Sequence, residues 1–511
     1  MTMTTEPAVT SVTTEPAVTS ADPPLRVNAL GFPQLLAQSV ALISPTMTAV
    51  LIIPLAFAIA GNSTWFAYAF ATVMLLFTVI ALNQFAKRSA TTGSMYAYVA
   101  KGLGAASGVM TGWALIWCYF FIGTAGLCGF ALMSQQFLQG LGLHGTVSPF
   151  ILFSISAAIG FTIAYKDVRL SAVLTLVLEG LSVACILALS CFILFKHGSP
   201  IDSSQLRLSG FSLKGLDFAV VVCIFSLVGF EAASTMGGEA RNPLKNVPRA
   251  VIWSLILTGL FMVVMCYVET IGAKHAGLNL GTLGAPLQTL AGAYGVSFFK
   301  VPVSLGGMVS FFALTLSCVN SGSRILMPLA KHDFVPKKLH GTHSSNLTPH
   351  SCIALYYGVL IAAVFLWYGL GAGVLTMFGQ AGTLAATGFL FAYFMIVVAA
   401  PVYLKKLGEL KQSHVVVAVV GFLLLLVPLV GLFYPLPAFP VDIFPALFAG
   451  YMLIGGGWLY VLNTRVPGTL VDIEASLEAA LQTSAGPASD VESGSRVGLE
   501  MPGLGVPVQT A

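Results

Sequence analysis

The chain has 511 residues, 57% of them hydrophobic and 8% charged, with a formal net charge of +4 and a mean hydropathy of +0.90. A soluble protein of this length carries roughly a quarter charged residues, so this composition excludes a water-soluble globular domain and describes a surface that meets lipid. The small, dispersed positive charge argues equally against nucleic acid as a partner.

Residues 1–28 are polar and contain a duplication, Thr4–Ser11 repeated as Thr13–Ser20. The tract lacks apolar mass to bury and reads as a disordered cytoplasmic tail, with no signal-peptide pattern. A membrane helix needs about 20 predominantly apolar residues. Cutting at polar, charged and Gly/Pro-rich stretches predicts twelve spans, at about 32–60, 64–86, 105–137, 149–165, 170–195, 218–240, 250–272, 301–326, 351–368, 374–402, 414–434 and 441–463. The remainder, 464–511, is a second cytoplasmic tail, largely disordered, in which Leu470–Leu481 could form a short surface helix.

Charge tests this count. With both termini inside, all but five of the 23 basic residues fall on the cytoplasmic side, and the outside keeps Lys196, Arg207, Lys214, Lys274 and Lys300. The positive-inside rule thus supports an even number of spans and cytoplasmic termini, in a plasma or cell inner membrane.

Two spans carry unusual residues at mid-depth. The first is longer than a crossing requires and contains Ser44-Pro45-Thr46, with Thr48 close by. Pro45 removes a backbone donor and clashes with the preceding turn. A break in lipid must face protein or a wet cavity, and Ser44, Thr46 and Thr48 would supply hydroxyls there. A simple proline kink is the alternative. The sixth span reads Phe225-Ser226-Leu227-Val228-Gly229-Phe230-Glu231. Glu231 lies roughly 20 Å from the outer end at helical rise, where a carboxyl is costly and functional by default. Gly229 would permit local unwinding. The alternative is a glutamate that only braces the bundle. Breaks five spans apart are what an inverted repeat of five plus five helices predicts, with substrate and ion sites between them.

Gly229-Phe230-Glu231, Glu239-Ala240-Arg241-Asn242-Pro243 and Val247-Pro248-Arg249-Ala250 make the chain resemble the amino acid–polyamine–organocation permeases. Gly93-Ser94-Met95-Tyr96-Ala97-Tyr98 with Gly108 and Gly112-Trp113, and Ser323-Arg324, Ala330-Lys331, Pro336 and Thr348-Pro349, are similar to further segments of that family, in the same order. The resemblance covers roughly residues 30–463. It departs at the first break, where the family's Gly-x-Gly is replaced by Ser44-Pro45-Thr46-Met47-Thr48, and after the eighth span, where Lys331-His332-Asp333 stands for Arg-Asp-Gly.

The resemblance implies an all-α polytopic protein with a leucine-transporter-like core of ten helices over 29–403 and two additional helices over 404–463. The inverted repeats would span about 29–197 and 215–403. It implies alternating access, with an amino acid or amine bound between carbonyls of one broken helix and amide groups of a half-helix N-terminus. The binding residues expected are Ser44, Pro45, Thr46, Thr48, Phe225, Ser226, Leu227, Gly229 and Glu231, with Phe225 as an aromatic lid. Glu179, in the fifth span, is the candidate for a coupling proton, because a low-dielectric site favours the neutral carboxyl. A structural hydrogen bond is its alternative role. Trp113, Tyr119, Ser317 and Asn320 could line the pathway. Glu269 reads as a solvated residue near the outer interface, and Arg324 as a snorkelling loop anchor. Asn62-Ser63-Thr64 matches a glycosylation sequon but sits against the membrane.

The expected activity is therefore secondary transport of amino acids, by proton-coupled symport or exchange. Polyamine transport and a non-transporting amino-acid sensor are the alternatives, and the sensor would want a large soluble output domain. A channel would want a continuous polar pore face. No cofactor, metal or enzymatic activity is expected: the eight cysteines form no C-x-x-C pair, no zinc spacing occurs, and there is no phosphate-binding G-x-x-x-x-G-K-[ST] loop or nucleophile–base pair.

Overall fold

Inside a hydrocarbon layer the backbone has no water to bond, so long apolar stretches are driven into helix. The computed structural model describes residues 25–89, 93–166, 168–197, 201–434, 438–466, 468, 470–471 and 473–475, and among these the regular elements are all helices, with an isolated bridge from Leu30 to Ala240. The duplicated Thr/Pro tract and the end of the second tail lie outside the described residues.

Eleven helical stretches are long and apolar enough to cross a membrane, and the first, Phe32–Ala86, is 55 residues long. It contains two crossings. Its start is tied to the loop after the sixth span, since Ala29 and Leu30 donate to the carbonyl of Glu239. Its middle reaches the opposite face, where Asn62 donates to the carbonyl of Ser209. Its end returns, where Asn83 donates to the carbonyl of Pro248. The reversal is a tight turn at Gly61–Ser63, entered by Gly61 at φ 55°. The twelve expected spans are all present.

The second span is Thr64–Ala86, and the next ones are Ala105–Gly140, Pro149–Lys166, Val168–His197 and a divided sixth starting at Leu213. The second half continues with Pro243–His275, Lys300–Lys331, His350–Gly369 and Val374–Lys406, followed by Gln412–Gly431 and Phe444–Arg465. The first span starts and the twelfth ends at one face, and the opposite one is the distal face. The seventh span starts seven residues earlier than expected. It runs through Pro248, as the eighth runs through Pro328 and the tenth through Pro401. Proline reads as a boundary in water, but neighbouring helices can supply the lost partner in a membrane bundle.

The third and eighth spans make the most extensive helix pair. Gly129 makes the approach possible: a β-carbon there would stand 2.2 Å from the ring of Phe311. Without a hydrophobic drive between helices in lipid, such close backbone packing supplies the association energy. At the other extreme, the twelfth span presents Leu453, Ile454 and Tyr460 to the outside, as a helix facing lipid must.

Candidate functional site at the helix breaks

The first span is discontinuous where the sequence predicts. Helix Phe32–Ile43 ends at Ser44, which adopts φ 50° and ψ 70° in the left-handed region. The residue before a proline is driven out of the helical region, and Pro45 then opens the next turn, Pro45–Met47. A wide π-turn, Thr48–Ile52, follows. Pro54 lies just beyond it and has no N–H to return to the carbonyl of Val50, which favours the looser winding.

Three spans converge on this break through one carboxyl. Glu179 Oε1 accepts from the Thr46 backbone N at 3.2 Å and from its hydroxyl at 2.9 Å. Glu179 Oε2 accepts from the Ser310 hydroxyl at 2.5 Å. The Thr46 hydroxyl also pairs with Ser182 at 2.9 Å, and Ser310 with Ser44 at 2.8 Å. All five side chains are buried. An apolar cavity of about 200 Å³, lined by Pro45, Leu176, Gly180 and Leu257, lies against the other side of Glu179.

The sixth span breaks in the same way. Helix Leu213–Leu227 stops, Val228 is extended, Gly229 takes φ 109°, and one turn, Ala232–Thr235, follows. Glu231 folds back into its own break: Oε2 accepts from the Gly229 backbone N at 3.2 Å and from the Tyr393 hydroxyl at 3.0 Å. Its Oε1 accepts from the Tyr119 hydroxyl at 3.0 Å.

The two breaks touch. The Ser39 hydroxyl donates to the Phe230 carbonyl at 2.8 Å and accepts from the Ala233 N–H at 2.9 Å. Gly229 lies so close to Leu42 that a β-carbon would come within 2.8 Å of its side chain. Helix ends at Ile43 and Leu227 bring carbonyl-rich termini, and the restarts bring amide-rich ones, to the middle of the bundle. This is the chemistry that receives an ammonium and a carboxylate.

The remaining predicted residues sort clearly. Ser226 pairs with the Tyr68 hydroxyl at 3.0 Å, Leu227 is buried at the end of its helix, and the Thr48 hydroxyl is buried with no partner among the described residues. Phe225 packs over the tenth span, so that a β-carbon on Gly382 would meet its ring at 2.3 Å, and stands edge-on to Phe378. Ser317 exchanges two bonds with Gln38, one in each direction. Trp113 stacks on Tyr451 of the twelfth span and is engaged in packing there. Asn320 gives its carbonyl to Arg324.

Two expectations are corrected. Arg324 is buried and forms a two-point ion pair with Glu239, Nε to Oε2 at 2.5 Å and Nη2 to Oε1 at 3.0 Å. Its guanidinium is drawn inward by that buried carboxylate, so it does not snorkel. Glu269 is fully buried, and neither carboxyl oxygen has a hydrogen-bond partner among the described residues. Ile193 and Leu290, the latter from a short helix, Pro286–Ala293, pack on Gly272 one turn beyond it.

Sequence reasoning missed Ser182, Ser310, Ser39 and Tyr393. Ser182 follows Glu179 by three residues, hence on the same helix face, which is a usable signal. Ser310 and Tyr393 are ordinary residues of apolar spans until the bundle closes. On the distal face, Asp202 is opposed by partial burial, yet hydrogen bonds from Ser204 and Gln205 and the Lys274 ammonium hold it down at about 2.

A family model for amino acid permeases matches residues 34–459, most of the chain and both breaks. The branched-chain amino acid permease BcaP of Bacillus subtilis is 24% identical over 69% of this chain and 76% of its own length. The permease of the same name from Lactococcus lactis is 27% identical over 62% and 73%. A methylthioribose transporter of Bacillus subtilis is 24% identical over 65% and 71%. With twelve crossings, two interrupted helices and a family match spanning both, the chain belongs to the amino acid permease family of integral membrane transporters.

Proposed function

We propose that the protein moves amino acids with apolar side chains by alternating access, coupled to protons, with its termini in the cytoplasm of a cell whose plasma membrane it spans. The observation that carries this reading is the meeting of the two breaks at Ser39–Phe230 and Leu42–Gly229. The solute's ammonium would face carbonyls near Ile43 and Leu227, and its carboxylate the amides of a restarting half-helix. Glu231 already accepts three hydrogen bonds, which leaves it poorly placed to bind a second ammonium and favours a zwitterion over a polyamine. Leu42, Phe225, Phe230 and Phe311 surround the breaks with apolar surface, and two relatives carry the name branched-chain amino acid permease.

The bonds that hold each break support an inverted repeat. The first break is held by the fifth and eighth spans, through Glu179 and Ser310. The sixth is held by the tenth and third, through Tyr393 and Tyr119. Exchanging spans that lie five apart, the first with the sixth, the fifth with the tenth and the eighth with the third, maps one set onto the other. Alternating access then amounts to exchanging which half of this pseudo-symmetric arrangement is open.

Glu179 is the proposed coupling carboxyl. Ionised, it accepts from Thr46 and Ser310. A proton on Oε2 turns it into a donor toward Ser310, whose hydroxyl must then donate elsewhere, and Ser44 at the break is its neighbour. Proton uptake is thereby transmitted to the residue at which the first helix stops.

The test is uptake of a panel of labelled amino acids into proteoliposomes, with and without a pH or sodium gradient. Accumulation of leucine, isoleucine or valine driven by an inward proton gradient is expected. Accumulation restricted to cationic solutes, sodium dependence, or binding without flux would overturn the reading.

A further inference from the structure

Glu269 is used by neither break. It lies six residues before the distal end of the seventh span, about 9 Å along the helix. Its carboxyl is fully buried and has no hydrogen-bond donor among the described residues. The titratable groups facing it are Tyr68 of the second span and Cys266 of its own helix, and Cys223 of the sixth span faces those two in turn. Tyr68 is occupied by Ser226. Lys274 and His275 stand at the end of the same helix, and Lys274 is engaged by Asp202 and Ser204.

A negative charge in such a place is uncompensated and strongly disfavoured in a low-dielectric interior. Among the described residues no basic side chain bonds this carboxyl, so the balancing positive charge is sought in solution. A metal ion would demand several oxygen ligands, and no cluster of three or more His, Cys, Asp or Glu side chains occurs among the described residues. A proton demands one oxygen.

The cover over this carboxyl is a separate small element. Gly272, one turn beyond Glu269, sits beneath Leu290 and Ile193, so that a β-carbon on it would come within 3.0 Å of Ile193 and 3.5 Å of Leu290. Leu290 belongs to the eight-residue helix Pro286–Ala293, which also packs on the π-turn of the first span. Its Gln288 donates to Ser304 at 3.2 Å while its own side-chain oxygen lacks a partner among the described residues. Displacement of this helix would open Glu269 and the outer part of the first span to the distal solution together.

We propose that Glu269 is a second proton-binding carboxyl, separate from the Glu179 network and loaded from the distal side when the Pro286–Ala293 helix lifts. The O–H bond forms at Glu269 as hydronium gives up its proton and becomes water, and closure traps the neutral acid. On reopening, the proton returns to water. The proposal rests on the transport reading only for the statement that the distal side is the outside.

The test is infrared H/D difference spectroscopy on the full chain in lipid nanodiscs, in potassium medium at neutral pH, which reads neutral carboxyl groups without any flux. A carboxylic C=O band present in the wild type and in Glu179→Gln is expected to be lost in Glu269→Gln, and to exchange deuterium several-fold faster in Leu290→Ala. Should Glu269→Gln fail to fold, Glu269→Asp is expected to keep the band at a shifted frequency. Identical bands in wild type and Glu269→Gln, an unshifted band in Glu269→Asp, or loss of the wild-type band on replacing potassium by sodium would overturn it. A protein that transports nothing in proteoliposomes could still show this band, so failure of the transport reading and failure of this proposal are distinguishable.

Discussion

Glu179 Oε1 receives both the backbone N–H and the hydroxyl of Thr46, the second residue of the chain's restart after the first break. One side chain of the fifth span thus does for this half-helix what an N-cap does for an ordinary one, satisfying an amide that the interruption leaves without an intrahelical partner. The same carboxyl reaches Ser310 of the eighth span, so the geometry of the break and the spacing of three helices are set together.

That dual bonding separates two substitutions. Glu179→Gln keeps an oxygen for Thr46 and places an amide where it can donate to Ser310, so folding should survive. Proton-driven accumulation should be abolished, while exchange of external for internal substrate persists. Glu179→Ala strands the buried Thr46 amide, while the Thr46 and Ser310 hydroxyls keep Ser182 and Ser44 as partners, and should cost about 1–3 kcal/mol, visible as a lower unfolding temperature in detergent. Unaltered accumulation in Glu179→Gln would end its coupling role.

Gly229 is constrained twice, by φ 109° and by contact with Leu42. Gly229→Ala should lower the unfolding temperature and depress uptake at least about tenfold, the backbone strain alone amounting to roughly 1–2 kcal/mol. Adding Leu42→Ala removes the steric part and should recover a fraction of uptake. A double variant no better than the single one would assign the whole effect to the backbone angle.

Twelve spans were legible because apolar length and charge agree on them, and the breaks were legible because Pro45 and Gly229 carry their backbone chemistry in their identity. The partners of the breaks were less so. Ser310 and Tyr393 gain their roles only when the eighth span meets the fifth and the tenth meets the sixth, and nothing local distinguishes them from other hydroxyls in apolar helices. Glu269 was misplaced for a related reason. Depth along the helix gave its distance from the distal face, but the covering helix Pro286–Ala293 comes from a connection whose packing the sequence does not display.

The buried pair of Arg324 and Glu239 makes a prediction with a built-in control. Removing one partner leaves an uncompensated buried charge, worth about 3–5 kcal/mol. Either Arg324→Met or Glu239→Gln should therefore sharply reduce the yield of folded protein in size-exclusion chromatography. The double substitution removes both charges and should be clearly more stable than Arg324→Met alone. Additive losses would show that the two side chains act independently.

Phe225 lies against Gly382 on the distal side of the sixth break. If Phe225 is the lid over the solute, as proposed, Phe225→Ala should raise the apparent KM several-fold with normal membrane insertion. Gly382→Ala pushes the same ring from below and should also impair uptake. If Phe225→Ala leaves uptake unaltered, the ring lies outside the pathway.

Asp202 gives a pH-dependent test away from the membrane interior. Its carboxyl sits at about 2 against an ordinary 3.8, held down by Ser204, Gln205 and Lys274. A carboxyl depressed on folding contributes stability that is full above its ordinary value and is lost as pH falls through the folded one. Lys274 is half exposed, with 51% of its side chain accessible, so the contribution should not exceed about 1 kcal/mol. Asp202→Asn should accordingly lower the unfolding temperature by about 1 °C at pH 7. That gap should stay constant down to about pH 5, narrow below about 4 and close near 2. A gap that persists unchanged at the lowest pH would mean that the loss comes from packing of the loop between the fifth and sixth spans, and not from the charge on Asp202.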